Sequence, residues 1–170
     1  MSDVFGRICG HLEERGVSFR HLHHAPTPTS VDSARARGEP LEIGGKALAL
    51  VGGERSVVLV LSAACRFDSK AFRRAAGMKK SRFLRPEELL ARTGLVPGSV
   101  PPFGPPILPF ELFIDASILA QPRIAFNAGS LRDSIIMSRE AYLRAVGEFR
   151  EVDVALAVAG DAVGGVPADS

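Results

Sequence analysis

Apolar positions recur along this chain with two periods, and the switches between them mark out its elements. Val4, Phe5, Ile8 and Leu12 fall at helical spacing behind Ser2 and Asp3, which can cap the helix, and Gly16 ends it. Val17 to Leu22 alternates as a half-buried strand does. Thr29 with Asp32 three residues on predicts a capped helix that Gly38 closes. Two apolar runs, Lys46–Val51 and Ser56–Leu61, are joined by Gly52-Gly53-Glu54 and predict a hairpin whose second strand is buried on both faces. Asp68 and Gly77 bracket a short helix, and Met78–Leu84 reads as a basic strand. Pro86, followed by Glu87 and Glu88, opens a helix that Gly94 ends. Beyond a proline-rich stretch, Glu111–Asp115, Arg123–Asn127 and Asp133–Met137 read as three further strands. Ser138 caps a last helix carrying Ala141, Tyr142, Ala145 and Val146, and Glu151–Val158 is a final alternating stretch.

Strands and helices interleave irregularly, without an internal repeat. The pattern predicts a mixed α/β (α+β) fold, a curved or barrel-like mixed sheet flanked by helices. A length of 170 residues, 46% of them apolar, is enough for one core. We expect a single domain over residues 1–158 and a small-residue tail over 159–170 that frays. Two cysteines, Cys9 and Cys65, make no disulfide framework, so a reducing, cytoplasmic setting is expected. No window approaches the roughly 20 apolar residues of a membrane span, and Met1–Glu14 carries charges where a signal peptide would be apolar.

Charge changes the picture more than composition does. The chain's net charge is only +2, yet eight cations lie between Arg66 and Arg85 against one acid, Asp68. Such a cluster, which includes Arg73, Arg74, Lys79, Lys80 and Arg82, is either a solvated face or the footprint of an anionic partner, with nucleic acid first among them. With one Tyr and no Trp, a base-stacking platform is not expected, so contacts should go to phosphates. The usual catalytic signatures are absent: no nucleophile elbow, no phosphate loop, no dinucleotide fingerprint and no zincin helix. His21 and His23 share a strand face but lack further ligands in reach, and no metal or organic cofactor is implied.

Two features stand apart. The stretch from Pro97 to Pro109 holds six of the twelve prolines. Placed inside a domain, it reads as a stiff loop able to present fixed N–H and C=O groups to a small polar ligand, with Gly98 allowing close backbone approach. Lys46 follows Gly44-Gly45 at the mouth of the most apolar hairpin. Its ammonium either stays in water or turns into a cleft, where it can hold a carbonyl or carboxylate oxygen.

Taken together, several stretches resemble the YbaK-type aminoacyl-tRNA deacylases, the stand-alone relatives of the editing domain of bacterial prolyl-tRNA synthetases. They are Thr29–Ala34, Gly44–Leu48, Asp68–Lys70, Pro86–Leu89, Thr93-Gly94, Pro97–Gly104, Ile114–Ser117 and Phe126–Ser130, in that order. The resemblance implies a barrel-like sheet flanked by helices, and hydrolysis of the ester between tRNA and a wrongly attached amino acid. It makes Lys46 the catalytic lysine. Gly98, Ser99, Val100, Pro101 and Pro102 become the loop that holds the aminoacyl group, and Thr29, Asp115, Asn127, Gly129 and Ser130 further substrate-binding positions. It implies no protein nucleophile, mischarged tRNA as the partner, and an aminoacyl-tRNA synthetase as a second one. Some editing domains carry a histidine in the segment that reads Phe126–Ser130 here, whereas this chain has no histidine after His24. That version resembles the broader branches, including some acting on seryl- or alanyl-tRNA, and leaves the amino acid open. The rigid backbone wall of the Gly98–Pro102 loop, which excludes large residues by sterics, predicts a small one of the Ala/Ser/Cys class. A catalytically silent tRNA- or aminoacyl-binding module, and a small-molecule hydrolase on the same fold, are the alternatives.

Overall fold

The computed structural model describes residues 3–157, and the expected tail over 159–170 lies outside them. The elements are, in order, α1 (Val4–Glu14), β1 (Arg20–His23), α2 (Ser30–Arg37), β2 (Gly45–Gly52), β3 (Arg55–Ser62), β4 (Cys65–Phe67), α3 (Ser69–Ala76), β5 (Arg82–Phe83) and α4 (Pro86–Thr93). There follow β6 (Glu111–Asp115), α5 (Ala116–Leu119), β7 (Arg123–Asn127), β8 (Asp133–Ser138), α6 (Arg139–Val146), β9 (Arg150–Val152) and β10 (Ala155–Ala157). A single 3-10 turn, Leu41–Ile43, leads into β2.

Local chemistry sets most boundaries. Asp3, Thr29, Asp68 and Ser138 each accept a backbone N–H from the first turn of the helix they precede. Gly38, Gly77 and Gly94 close helices in the left-handed conformation. The long hairpin pairs Gly45 with Ser62 through to Gly52 with Arg55, and the second strand is buried along most of its length. The basic stretch Met78–Leu84 contributes only a two-residue edge strand, Arg82–Phe83. The expected last strand divides in two around Asp153, β9 joining one sheet and β10 another.

Three sheets result among the described residues: β5-β2-β3-β6-β9, β1-β8-β7 and the ribbon β10-β4. They do not close into a barrel. The five-stranded sheet ends in the short edge strands β5 and β9, and the three-stranded sheet meets it through an isolated parallel bridge between Gly44 and Ala125. One face of the central hairpin packs into the main core with α1, α6 and the proline-rich segment. The other face packs on α3, with Leu48, Leu50, Leu59 and Phe113 around Phe72.

The proline-rich segment is more strut than loop. Phe103 is fully buried, edge-on to Phe126 and Tyr142, and Pro101 and Pro102 are buried beside it. The Tyr142 hydroxyl, pushed well above the ordinary phenol range by burial, donates to the Pro102 carbonyl at 2.7 Å. Tyr142→Phe strands that carbonyl in the core, so we expect a loss of about 1–3 kcal/mol in unfolding free energy by denaturant titration.

A cationic cavity beside the glycine loop

The strand bridge between Gly44 and Ala125 brings four segments to one cavity of about 250 Å³. Thr29, Ser30 and Ser33 line it from the start of α2, and Gly45, Lys46 and Ala47 from the start of β2. Pro97, Gly98 and Val100 form a third wall, with Asn127 at the end of β7. The lining includes two cations, Lys46 and Arg37, and no carboxylate. It also lies at the N-terminus of α2, where helix dipoles add positive potential.

Gly44 and Gly45 are glycines because the strand enters under other chain. A Cβ on Gly45 would come within 2.6 Å of Ile124, and one on Gly44 within 3.0 Å of the Ala63 Cβ. This tight entry sets Lys46, whose Nζ donates to the Cys65 carbonyl at 3.4 Å. Burial raises the nearby Cys65 thiol, which therefore stays protonated at neutral pH.

Arg37, in the last turn of α2, was not singled out by the sequence. Its Nε donates to the Ser134 hydroxyl at 2.9 Å and its Nη2 to the Asn127 carboxamide oxygen at 3.0 Å. The Asn127 amide nitrogen in turn donates to the Gly98 carbonyl at 2.7 Å. A relay thus runs from α2 through β7 to the glycine loop. Burial draws the Arg37 guanidinium down to about 10, still cationic at neutral pH. Ser134 sits directly opposite Asn127 in the sheet, so both side chains share a face, and His24 closes the cluster at 2.8 Å from the Ser134 hydroxyl. That Ser–His contact is no nucleophile pair, since Ser134 is fully buried and already accepts from Arg37.

The structure brings together Thr29, Lys46, Gly98, Val100 and Asn127 of the residues singled out in the sequence. Thr29 does so as the α2 cap, its hydroxyl accepting from the Asp32 N–H at 3.0 Å and donating to the Asp32 carboxylate at 2.8 Å. The others do not line the cavity. Ser99 is buried and ties its own turn by donating to the Val96 carbonyl, while Pro101 and Pro102 belong to the core strut. Asp115 is fully buried, and its carboxylate accepts from Ser117, Val154 and Ala155, so it fastens the β9–β10 connection. Gly129 packs against Val4, and Ser130 caps the turn before Arg132. His21 and His23 converge on Asp133; burial pushes its carboxyl up, but hydrogen bonds from His23, His21 and Ser130 together bring it down to about 2.

On the opposite face of β2 and β3 from the main core, the basic segment is exposed but unevenly available. Arg82 is held by Glu88 through two contacts, 2.8 and 3.0 Å, and Arg85 also meets Glu88 and Glu87. Arg73 donates to Ser69, whereas Arg74, Lys79 and Lys80 are exposed on α3 and the turn that follows.

Comparison with known proteins places this arrangement. A family model described as "Aminoacyl-tRNA editing domain" matches residues 24–145. The chain is 31% identical over 144 residues to a multifunctional Ser/Thr-tRNA deacylase, ProXp-y, of Escherichia coli strain K12, covering 81% of this chain and 85% of that protein. A crystal structure described as a candidate trans-editing enzyme for prolyl-tRNA synthetase superposes with a TM-score of 0.76 at 27% identity, over 91% of this chain and 98% of that one. Another, of a hypothetical protein at 23% identity and TM-score 0.76, shares the fold over 88% of this chain and 99% of its own. The chain belongs to the aminoacyl-tRNA editing domain family, among the YbaK-type deacylases, and is an ester hydrolase of that class.

Proposed function

We propose that the cavity receives the aminoacyl end of a mischarged tRNA carrying a small amino acid, and that positioning and charge hydrolyse its ester without a protein nucleophile. The carrying observation is a 250 Å³ cavity with two cations, no carboxylate and a fixed glycine loop. That volume suits an aminoacyl group rather than a whole nucleoside, since pockets for drug-sized ligands begin near about 300 Å³. Val100, Ala47 and Pro97 wall it against bulky side chains. Water adds to the ester carbonyl, the Lys46 ammonium stabilises the developing oxyanion, and collapse releases the amino acid as the ribose oxygen takes up a proton. A ribose hydroxyl of the terminal adenosine helps to activate the water, as the family resemblance implies. Arg73, Arg74, Lys79 and Lys80 meet phosphates, with Arg82 contributing only where Glu88 releases it.

Arg37 is a positioning residue in this reading, acting on the Gly98 loop through Asn127. Arg37→Lys keeps the charge but not the two directed bonds, so kcat/KM should fall about tenfold or more, and a lower melting temperature should accompany the fall because the buried Ser134 loses its donor. Asn127→Ala breaks the same relay, and the double variant should lose less than the product of the single losses. Independent, multiplying losses would remove Arg37 from this role.

Deacylation of a panel of mischarged tRNAs tests the function. Seryl-, alanyl-, threonyl- and cysteinyl-tRNA should all be cleaved, at rates within about 10- to 200-fold of one another, because a pocket separates neighbours one methylene apart by only about 1–3 kcal/mol. Phenylalanyl- or isoleucyl-tRNA should survive. Tight tRNA binding without turnover anywhere in the panel would identify a silent module instead.

A further inference from the structure

We infer that Phe83 is a stacking platform for a base in the single-stranded 3′ end of the bound tRNA, an inference that rests on the tRNA reading above. The residue lies on the edge strand β5, where it pairs with Leu50 of β2. Alternation along β2 therefore puts Phe83 on the same sheet face as Leu50, Leu48 and Lys46. Leu50 lies four residue steps along the strand from Lys46, which is about 13 Å at the rise of a β-strand. Leu48 and Leu50 are covered by α3, so a strand leaving the cavity passes over that cover and the in-sheet distance is the least it spans, at least about two to four nucleotides from its reacting end.

The ring is supported from within the fold: it meets Phe67 in a tilted contact at 5.7 Å between centroids, and Phe67 leans on the buried Phe72 at 6.2 Å. The residue is nonetheless 40% exposed, although Phe is among the residue types most often fully buried. Isolated apolar residues on a surface are ordinary, but this one lies within the most basic segment of the chain. Lys79 and Lys80 precede it, and Arg66 adjoins Phe67 beneath it, all three exposed. Arg82, clamped by Glu88, fixes the strand on its other side. Cations that track phosphates beside an aromatic face are the combination that holds single strands without reading their sequence. The scarcity of Tyr and Trp is thus answered by one well-supported phenylalanine.

The chain contains no tryptophan, so Phe83→Trp creates a single reporter at the proposed platform. The probe is an RNA hairpin bearing a CCA overhang, compared with the same hairpin cut blunt. Emission should be quenched by the overhang hairpin and not by the blunt one. Phe83→Ala should weaken the overhang hairpin about 5- to 100-fold, the range for losing one base–aromatic stack. Its slope of log affinity against log salt should be unchanged, whereas reversing Lys79 and Lys80 to Glu should flatten that slope. Phe83→Tyr should restore the affinity, and melting temperatures report whether each variant is folded. Equal quenching by both hairpins, or a folded Phe83→Ala that binds like the parent, overturns the inference. Because these are binding measurements, an inactive deacylation panel with intact, overhang-dependent quenching would remove the hydrolase reading and keep this one.

Discussion

Lys46→Ala should lower kcat/KM for deacylation by about 10- to 1000-fold, the range for losing one electrostatic donor at a developing oxyanion. The loss belongs to chemistry rather than folding. Lys46 enters the hairpin through backbone pairing with Leu61, which the substitution leaves in place, and its side chain is only partly buried. Arg37 still lines the cavity in the variant, but its Nε and Nη2 are committed to Ser134 and Asn127. The remaining cation therefore cannot swing over to replace the ammonium. Single-turnover hydrolysis beside a melting curve separates the effects: a slow, fully folded variant is expected. Unchanged turnover would take Lys46 out of the mechanism.

Gly98→Val should cost about 100-fold or more in the same assay, because displacing a positioning loop by about 1 Å is enough for such a loss. Gly98 has φ of +89°, in the region that β-branched residues avoid, and a Cβ there would lie 3.3 Å from Leu131. The loop can relieve this only by moving its carbonyl away from the Asn127 amide, which undoes the relay from Arg37. A stability loss of about 1–3 kcal/mol from the strained backbone should accompany it. Affinity for uncharged tRNA should persist, since Lys79 and Lys80 lie outside the cavity lining. Gly98→Ala should fall between the parent and the valine variant. A valine variant that hydrolyses its substrate at the parental rate would show that the loop does not touch the aminoacyl group.

Whatever depended on a few neighbouring residues was legible in the sequence. Caps at Asp3, Thr29, Asp68 and Ser138, and left-handed closures at Gly38, Gly77 and Gly94, are settled within one turn of chain. The central hairpin follows from apolar alternation and its glycine turn, to within a residue at most of its ends. Arrangements set by distant partners were not legible. The stretch Glu151–Val158 alternates evenly, and only the buried carboxylate of Asp115, accepting from Val154 and Ala155, shows why its two parts join different sheets. Asp115 matched the family motif as a pocket residue, yet it ends β6 and caps α5 with its carboxylate turned inward. Arg37 carries no local signal beyond its place in the last turn of a polar helix. Its burial comes from β7 and β8, roughly ninety residues further along the chain, and no local pattern announces that.

The most direct measurement is a crystal structure with a non-hydrolysable analogue, adenosine carrying a serine through an amide in place of the ester. The seryl group should lie in the cavity between Thr29 and Gly98, its carbonyl oxygen within hydrogen-bond reach of Lys46 Nζ and its adenosine outside. A seryl group bound elsewhere, or one whose carbonyl faces away from Lys46, would contradict the account.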